Sequence, residues 1–519
     1  MKLDKNKKLA IFITIFTVLM LAGLTYTFFS ASVSNANNEK MQTQTATMSL
    51  EFDDNDNGVS GILNLGESIV KKFTLENTGT VDAYGQINWY NLVNTYTGNS
   101  LSWTLEQSTT ENGTYTTVGS GKVPTSSSAI TKELKNGLLV PVSTTYYYKL
   151  SITLNNLDIN QSSDINASMH SKFSLEAGTQ PGTDTIMNLV SDADPTSTDV
   201  ITKTAPAGES CTNTLAFDGT TDNNLRYVGA NPCNYVTFNG ETSGWRIIGI
   251  MNNVDDGTGN LEARIKLIRA TSLGSYSWDS SASGVNSGYG INDWTGADLK
   301  NELNGDYLDS TLTENTTWYN GQNNKKEATF DISKRLTSAA QNLIRDAKWY
   351  LGGIAWTDSE LISSTIYTLE RGNKVWGSTS GQTCNDGYCP RALFWTGKVA
   401  LAYLSDYGYA TAGGYNASRS ACISNLTTKP VTSGESWINI RYKACENNDW
   451  LIPSLNDNYW FLTNYSDIAY GMFLGNVTTG IGYAYVRNDY SVLPVVYLKS
   501  DVSISSGNGS QENPYEFSL

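Results

Sequence analysis

The chain opens with a basic segment that turns strongly apolar. Four lysines within residues 1–8 precede an uncharged stretch at 9–29, and small residues follow at 30–32. This order is typical of an export signal, with cleavage after Ser32 or Ala36, and it predicts that the rest of the chain lies outside the cytoplasm. The stretch also approaches the roughly 20 residues that span a bilayer. Residues 1–36 are therefore predicted to be a signal peptide or, alternatively, a retained N-terminal membrane anchor with its lysine-bearing end in the cytoplasm.

Short alternating patterns dominate the next part of the chain. Polar and apolar positions alternate at 70–75, 83–90, 101–105 and 146–154. Turn dipeptides such as Asn-Gly and Thr-Gly separate these runs, and Thr, Tyr and Trp favour strands. Several short strands at this spacing predict an all-β sandwich over residues 37–177.

Proline, glycine, serine and threonine are concentrated at 178–208, which predicts a linker. Residues 209–519 then mix strand patterns with helical ones, so we expect an α+β domain. The strands are predicted at 244–251, 264–269 and 494–498, and hydroxyl-first capping boxes predict helix starts at Thr295, Ser338 and Ser454. The helix beginning at Ser338 is expected to continue to Gly352-Gly353.

The composition excludes several classes of function. The formal net charge is −15, so the chain lacks the basic surface that nucleic-acid phosphates require. His170 is the single histidine, which rules out a histidine-rich metal site and confines any Ser–His–Asp triad to that residue. Because His170 lies in an alternating run, we interpret it as an ordinary strand residue. We expect no catalytic residues and no bound cofactor, calcium excepted.

The cysteines form an even set of six, none of them before residue 211. An even number in an exported chain predicts disulfides, and the spacing favours pairs that are consecutive in the sequence. A four-thiolate zinc site is the weaker alternative, because the chain has no CxxC pair. The residues are Cys211, Cys233, Cys384, Cys389, Cys422 and Cys445.

Segment 53–58 resembles the first half of a calcium loop. The oxygens of Asp53, Asn55 and Asn57 would face one centre, with Gly58 making the turn. The twelfth position is Asn64, where such a loop needs a bidentate glutamate. A solvated acidic turn is therefore the preferred interpretation, and calcium the alternative. Asp255-Asp256-Gly257 is interpreted as a hairpin turn.

Aromatic residues are frequent in residues 209–519. Exposed rings beside amides and carboxylates suit sugar stacking, but a strand-rich core with few leucines would also use rings for packing, and packing is our preferred interpretation. The rings are Tyr276, Trp278, Tyr289, Trp294, Trp318, Tyr319, Tyr403, Tyr407, Tyr409, Tyr415, Tyr483 and Tyr485.

Two segments near the N-terminus carry a family resemblance. Residues 23–30 (GLTYTFFS) and 65–79 (LGESIVKKFTLENTG) resemble the TasA/camelysin family of secreted matrix and envelope proteins. The resemblance covers about residues 9–177. It implies a jelly-roll or Ig-like sandwich, a dedicated signal peptidase, and self-assembly into fibres or an envelope.

The C-terminal part resembles an uncharacterised domain of Gram-positive-type surface proteins. The matching segments are 231–236 (NPCNYV), 244–249 (GWRIIG), 450–457 (WLIPSLND) and 493–498 (LPVVYL). More distantly, the last two are similar to the C-type-lectin-like fold of formylglycine-generating enzymes. That resemblance implies a C-type-lectin-like domain, but it carries over no catalytic residue. We interpret Trp245, Trp450 and Pro453 as core and capping residues.

These observations leave three hypotheses. The first is an extracellular or cell-surface structural and adhesion protein, whose sandwich supports assembly and whose C-terminal domain displays a ligand-binding surface to a host or neighbouring surface. The second is a lectin-like glycan-binding protein. The third is a formylglycine-generating-enzyme-like oxidase or a hydrolase, against which the lack of a recognisable nucleophile–base pair argues. The membrane contact is predicted through residues 9–29.

Overall fold

The computed structural model describes most of the chain from residue 65 onward. Backbone and side chains are described for residues 65–97, 100–157, 160–165, 167–280, 290–309, 317–320, 328–354, 362–372, 392–414, 417–424, 450–451, 457–466 and 481–519. The backbone alone is described for 27–29, 41–43, 46–48, 50–53, 59–61, 327, 471–476 and 480. The described chain forms two compact units, residues 1–180 and 181–519.

The first unit is built from antiparallel strands. They are β1 (Thr27–Phe29), β2 (Met41–Thr43), β3 (Ala46–Met48), β4 (Leu50–Asp53), β5 (Val59–Gly61), β6 (Ser68–Asn77), β7 (Ala83–Asn94), β8 (Leu101–Ser108), β9 (Thr116–Lys122), β10 (Ser126–Val140), β11 (Thr145–Leu154) and β12 (Met169–Ala177). Five strands pair in the order β4-β6-β11-β8-β9, and three in the order β10-β7-β12.

Side chains from both sheets form the core of the first unit. Along β11 every second residue from Tyr148 to Leu154 is buried, as the period-2 geometry of a strand requires. Leu75 and Leu150 from the larger sheet and Trp89 and Phe173 from the smaller one belong to one buried cluster. Trp89 and Phe173 contact each other with ring centroids 5.1 Å apart. The strand predictions for residues 70–154 are confirmed.

The second unit contains short helices among many strands. In chain order the elements are α1 (Gly182–Asn188), β13 (Ile201–Lys203), β14 (Asn213–Phe217), β15 (Leu225–Tyr227), β16 (Tyr235–Phe238), β17 (Glu241–Asp255), β18 (Leu261–Arg269), β19 (Ser275–Ser277), α2 (Asp298–Asn304), β20 (Trp318–Tyr319), β21 (Glu327–Ala328), α3 (Ser338–Leu343), β22 (Ala347–Tyr350), β23 (Gly353–Ile354), α4 (Ser363–Glu370), β24 (Phe394–Gly397), β25 (Val399–Ala400), α5 (Leu404–Tyr409), α6 (Arg419–Ile423), β26 (Tyr459–Tyr465), β27 (Gly471–Asn476), β28 (Gly480–Tyr485), β29 (Asp489–Ser491), β30 (Val495–Tyr497), β31 (Ser503–Ser506) and β32 (Tyr515–Ser518).

A ten-stranded mixed sheet is the centre of this unit. Its main path is β13-β14-β15-β17-β16-β32-β31, and β18, β30 and β25 extend it from β17. A six-stranded sheet contains β19, β29, β26, β27, β28 and β23. Trp245 and Trp450, predicted as core residues, are 0% and 5% exposed. The β-rich character predicted for the chain is confirmed.

Most of the segment predicted to be a linker belongs to the second unit. Helix α1 packs Ile186 into the core, and Val190 follows it there. Strand β13 pairs with β14 at the edge of the large sheet. The composition of 178–208 is that of a linker, but the few apolar residues it contains are enough to bury one helical face.

Two predicted helix boundaries need correction. Helix α2 begins at Asp298 with Ala297 as the N-cap, because the Thr295 hydroxyl bonds Asp293 instead. Helix α3 is capped by Thr337, whose hydroxyl accepts the Ala340 N–H, and it ends at Leu343. Residues 347–350, predicted to continue it, form strand β22. The predicted start at Ser454 lies outside the described residues.

The predicted leader lies almost wholly outside the described residues. Its last three residues, Thr27–Phe29, form strand β1, which pairs with Val59–Gly61. No helix within the described residues has the length and apolarity needed to cross a membrane. The signal peptide and the alternative anchor therefore remain predictions.

Candidate functional site

A network of buried charges occupies the core of the second unit. Arg226 on β15 donates from Nε to Asp218 (2.8 Å) and from Nη1 to Asp406 (2.7 Å). Lys266 on β18 donates to the other oxygen of Asp406 at 2.5 Å. The side chains of Arg226, Lys266 and Asp406 are at most 2% exposed. Opposite charges taken out of water at this depth persist only when they are paired and hydrogen-bonded.

Burial and pairing shift the pKa values of this network in opposite ways. Burial opposes ionisation of Asp406, but the charges of Lys266 and Arg226 outweigh it and hold the pKa of Asp406 at about 2. Burial lowers the pKa of Lys266 to about 8, because Asp406 offsets only part of the desolvation. Asp406 also accepts the Tyr403 N–H at 2.9 Å, which closes the first turn of α5.

Aromatic rings surround the Lys266 ammonium. The ring centroids of Tyr403, Tyr497 and Trp349 lie 4.7, 5.4 and 5.6 Å from Nζ. A cation over aromatic faces gains electrostatic attraction in addition to its ion pair. The rings also keep water away, so the Lys266–Asp406 pair lies in a medium of low dielectric constant.

A fully buried glutamate lies at the end of α4. Glu370 accepts the Ser405 N–H (3.1 Å), the Ser405 hydroxyl (2.5 Å) and the Thr463 hydroxyl (2.7 Å). Burial raises the pKa of Glu370 above its ordinary value, and these hydrogen bonds work against that rise. Glu370 thus connects α4 to the start of α5 and to β26.

Hydrogen bonds continue the network from the core toward the surface. Asn224 donates to Asp218 (2.8 Å) and to the Tyr367 hydroxyl (3.3 Å). The Tyr367 hydroxyl donates to Asp222, which faces Arg371 at 3.8 Å. The side chains of Asp222 and Arg371 are each 24% exposed. The route from Asp406 through Arg226 therefore ends in partly exposed groups.

An aromatic surface patch, defined as Lys348, Tyr350, Arg371 and Phe394, lies at this outer end. Tyr350 on β22 is paired directly with Phe394 on β24, so the two side chains share one face of the ribbon. Phe394 is 50% exposed, and Lys348 Nζ lies 4.4 Å above its ring. The Arg371 guanidinium stacks on Tyr367 at 3.3 Å and lies 5.3 Å from the Tyr350 ring.

The charges of the patch are balanced locally. Lys348 approaches Asp255 at 3.3 Å, and Arg371 approaches Asp222. Donors and acceptors therefore surround two neighbouring rings. This combination suits a ligand that has apolar C–H faces and several hydroxyl groups.

The structure tests some of the predicted site residues. Cys211 and Cys233 form the predicted disulfide, and both are buried. Cys422 is also disulfide-bonded; its predicted partner Cys445 and the pair Cys384 and Cys389 lie outside the described residues. Likewise outside are Asn55 and Asn57, while only the backbone of Asp53 is described, in β4. The calcium prediction therefore stays a prediction.

Most of the aromatic residues singled out in the sequence are core residues. Tyr276, Trp278, Trp294, Trp318, Tyr403, Tyr407 and Tyr409 are all buried. Packing, the preferred interpretation, is confirmed for these seven. Tyr485 is 40% exposed, and Tyr289 and Tyr415 lie outside the described residues. His170 lies in β12 with its side chain exposed, and Asp255 lies where β17 turns into β18.

The charge network was not predicted from the sequence. A usable signal exists at Lys266, because it interrupts the apolar run of β18 and its neighbours Ile265 and Leu267 are both buried. A strand that is buried on both faces must bury a charge lying in its middle. No comparable local signal marks Asp406 or Glu370. Within the described residues, no group of three or more histidine, cysteine or acidic side chains could hold a metal ion.

Comparison with known proteins adds little to this picture. No family model matches the chain, and no curated protein matches it. One solved structure, described as "AvmM Catalyzes Macrocyclization in Alchivemycin A Biosynthesis", is similar over 24% of this chain and 76% of its own, with 8% sequence identity and a TM-score of 0.14. A similarity of that size carries no argument about fold or activity.

Proposed function

We propose that this protein is an exported cell-surface or extracellular-matrix protein that displays a ligand-binding domain. In this proposal the first unit is a sandwich of the jelly-roll or Ig-like type that supports assembly. The second unit is a disulfide-stapled α+β domain of the C-type-lectin-like type. The basic and apolar leader and the family resemblances of the two parts support the assignment.

The Cys211–Cys233 disulfide is the observation that carries the proposal. Both cysteines are buried, and the described residues contain no free cysteine. Disulfides persist in oxidising surroundings, whereas cytosolic thiols are kept reduced. A chain with an export-type leader and a buried disulfide fits the cell exterior.

Intact mass of the native protein from the culture medium and from washed cells tests export. We expect alkylation under denaturing, non-reducing conditions to add no mass, because all cysteines are oxidised. Reduction before alkylation should then label six. Material recovered from the cytoplasm with free thiols and an intact leader would contradict the proposal. The same masses report whether residues 1–36 are removed.

The second candidate function is glycan binding, and the aromatic patch favours it. The rings of Tyr350 and Phe394 present apolar faces, while Lys348, Arg371 and their paired carboxylates offer hydrogen bonds to hydroxyl groups. We expect the full exported protein to bind a subset of glycans on an array. Phe394→Ala should weaken that binding at least about tenfold, a loss of the size expected for one stacking ring.

A matched control separates stacking from general loss of apolar surface. Ile332 is 67% exposed and lies in another part of the second unit, so Ile332→Ala should leave glycan binding unchanged. Uniformly flat signals across the array would remove the glycan hypothesis. They would leave the proposal of an exported display protein standing.

A further inference from the structure

A group of carboxyls lies around the start of helix α2, apart from the charge network. The acid corner is defined as Asp279, Asp298 and Glu302. Asp279 follows β19 and accepts the Ile291 N–H at 2.8 Å. Asp298, the first residue of α2, accepts the Ser280 N–H at 2.8 Å and the Ser280 hydroxyl. A hydrogen bond also joins the side chains of Asp279 and Asp298, which requires a shared proton.

Glu302 is the unusual member of the corner. It lies one helical turn after Asp298 and is 0% exposed. Neither of its carboxylate oxygens has a hydrogen-bond partner of ordinary geometry among the described residues, although the nearby Tyr319 N–H favours its charged form. A buried carboxylate in this position carries a large desolvation cost, whereas a carboxylic acid does not.

The surroundings of Glu302 offer no opposite charge. Strands β19, β20 and β25 pack against α2, and none of them contains a lysine or arginine. Lys300, the cation of α2, donates to Asn301 at 2.8 Å.

The other groups that face Glu302 are negative or neutral. Asp306 is paired with Arg335, and the Tyr276 hydroxyl responds to the charge of Glu302. Asp279, Asp298 and Asp306 all present negative charge to Glu302.

Both physical effects raise proton affinity in the corner. Burial, and then the charge of Asp298, raises the pKa of Asp279 to about 7. Burial, and then the same charge, raises the pKa of Glu302 well above its ordinary value. For a carboxyl with a raised folded-state pKa, the closed structure binds protons more tightly than the open chain does. Its stability is therefore complete in acid and falls as the pH rises through the raised values.

We propose that the acid corner is a proton-operated latch, which holds residues 278–302 closed while its carboxyls share protons and loosens this part of the second unit as they ionise. The latch couples local order at the Trp278–Trp294 contact (5.4 Å between ring centroids) to the pH outside the cell. It does not depend on which ligand the domain displays. In acid the corner is uncharged and packed; in alkali the repulsion among three buried carboxylates favours opening.

Hydrogen–deuterium exchange of the full exported protein tests the latch. Between pH 6 and pH 9, after correction for the intrinsic pH dependence, peptides covering 278–302 should exchange at least about tenfold faster, because one pKa unit is a factor of ten in the opening equilibrium. Peptides covering 145–154 in the first unit should not change. Equal corrected exchange at the two pH values would overturn the proposal.

Two variants assign the effect to the corner. Glu302→Gln and Asp298→Asn keep the side-chain shapes but cannot ionise, so each should reduce the pH response severalfold. Glu512→Gln is the matched control, because Glu512 is exposed in the same unit, and it should respond like the wild type. A full wild-type response in both corner variants would contradict the latch. Circular dichroism at pH 6 checks that the variants fold, and if one does not, the other decides.

A metal arm distinguishes protons from cations. Millimolar Ca²⁺ or Mg²⁺ at pH 9, and EDTA at pH 6, should leave the exchange of 278–302 unchanged. If a divalent cation restored protection at pH 9, the corner would be a cation site and the proton latch would be wrong.

Discussion

Asp406 receives hydrogen bonds from two cations and one main-chain N–H inside the second unit. Replacing the buried network with apolar residues would cost little in principle, whereas removing one partner leaves an uncompensated charge. The network therefore determines how the strands that carry Arg226 and Lys266 meet helix α5. Its contribution is to the choice of one packing arrangement over others.

Asp406→Asn should destabilise the second unit by about 3–5 kcal/mol, because Arg226 and Lys266 would stay buried without a carboxylate. Urea unfolding followed by the signal of the second unit measures the change. Asp192→Asn is the control: Asp192 pairs with Lys203 at the surface with its side chain 74% exposed, so the unfolding midpoint should stay where it is. A midpoint for Asp406→Asn equal to that of the control would contradict the role given to the network.

Lys266→Met should alter the dependence of stability on pH. The folded-state pKa of Lys266 is about 8 against an ordinary 10.5, so the unfolded chain binds this proton more tightly than the folded one. Wild-type stability should therefore rise relative to the variant as the pH increases through this range, by on the order of 2 kcal/mol. Urea unfolding at pH 7.5 and pH 10 gives the difference, and parallel values for the two proteins would refute the prediction.

At the scale of elements, glycine and non-local caps decide how the strands and helices meet. Strand β17 has a register irregularity between Ile247 and Gly249 where it pairs with β18. On its other side Gly249 pairs with Arg226 of β15. A Cβ at Gly249 would lie 2.2 Å from the Leu225 carbonyl oxygen. This close approach brings β15, and with it Arg226, to its place in the network.

Gly249→Ala should therefore cost at least about 1–3 kcal/mol of stability in the second unit, because main-chain atoms must move to admit the methyl group. Gly296→Ala serves as the comparison, since nothing lies within 4 Å of a Cβ there. Thermal unfolding of both variants beside the wild type measures the effect. Equal melting temperatures for the two would show that β15 does not depend on this contact.

The elements also show which predictions a local pattern can support. The strands at 244–251 and 264–269 follow from alternation and apolar runs, and both are present. The start of α2 was misplaced because Asp279, nineteen residues earlier in the chain, accepts the Asp298 N–H. A capping box describes only hydrogen bonds within four residues, so it cannot register such a partner.

At the scale of the whole molecule, each unit has its own hydrophobic core. Units with separate cores unfold as separate cooperative transitions when few interactions connect them. The short apolar content of 181–208 is used within the second unit. The boundary between the units at residue 180 is therefore set by packing and differs from the one that composition suggests.

Calorimetry should resolve two transitions, and a crossed pair of variants assigns them. Phe173→Ala should lower one of them by the equivalent of about 3–5 kcal/mol, because Phe173 is 2% exposed in the first core. Asp406→Asn should lower only the other. Ile165→Ala, at a position 70% exposed in the first unit, should move neither. If both transitions moved together with either core variant, the units would not be thermodynamically separate.

Alternation with a period of two determined the strands of this protein by itself, because each strand needs only its own side chains to assign a buried face. Even spacing likewise indicated the Cys211–Cys233 bridge. Only the tertiary structure decided which charges are buried and which meet. Arg226 and Asp406 are 180 residues apart, and the pairing of Tyr350 with Phe394 required two strands from distant segments. Ion pairs and surface patches of this kind depend on non-local contacts, and no local pattern of residues encodes them.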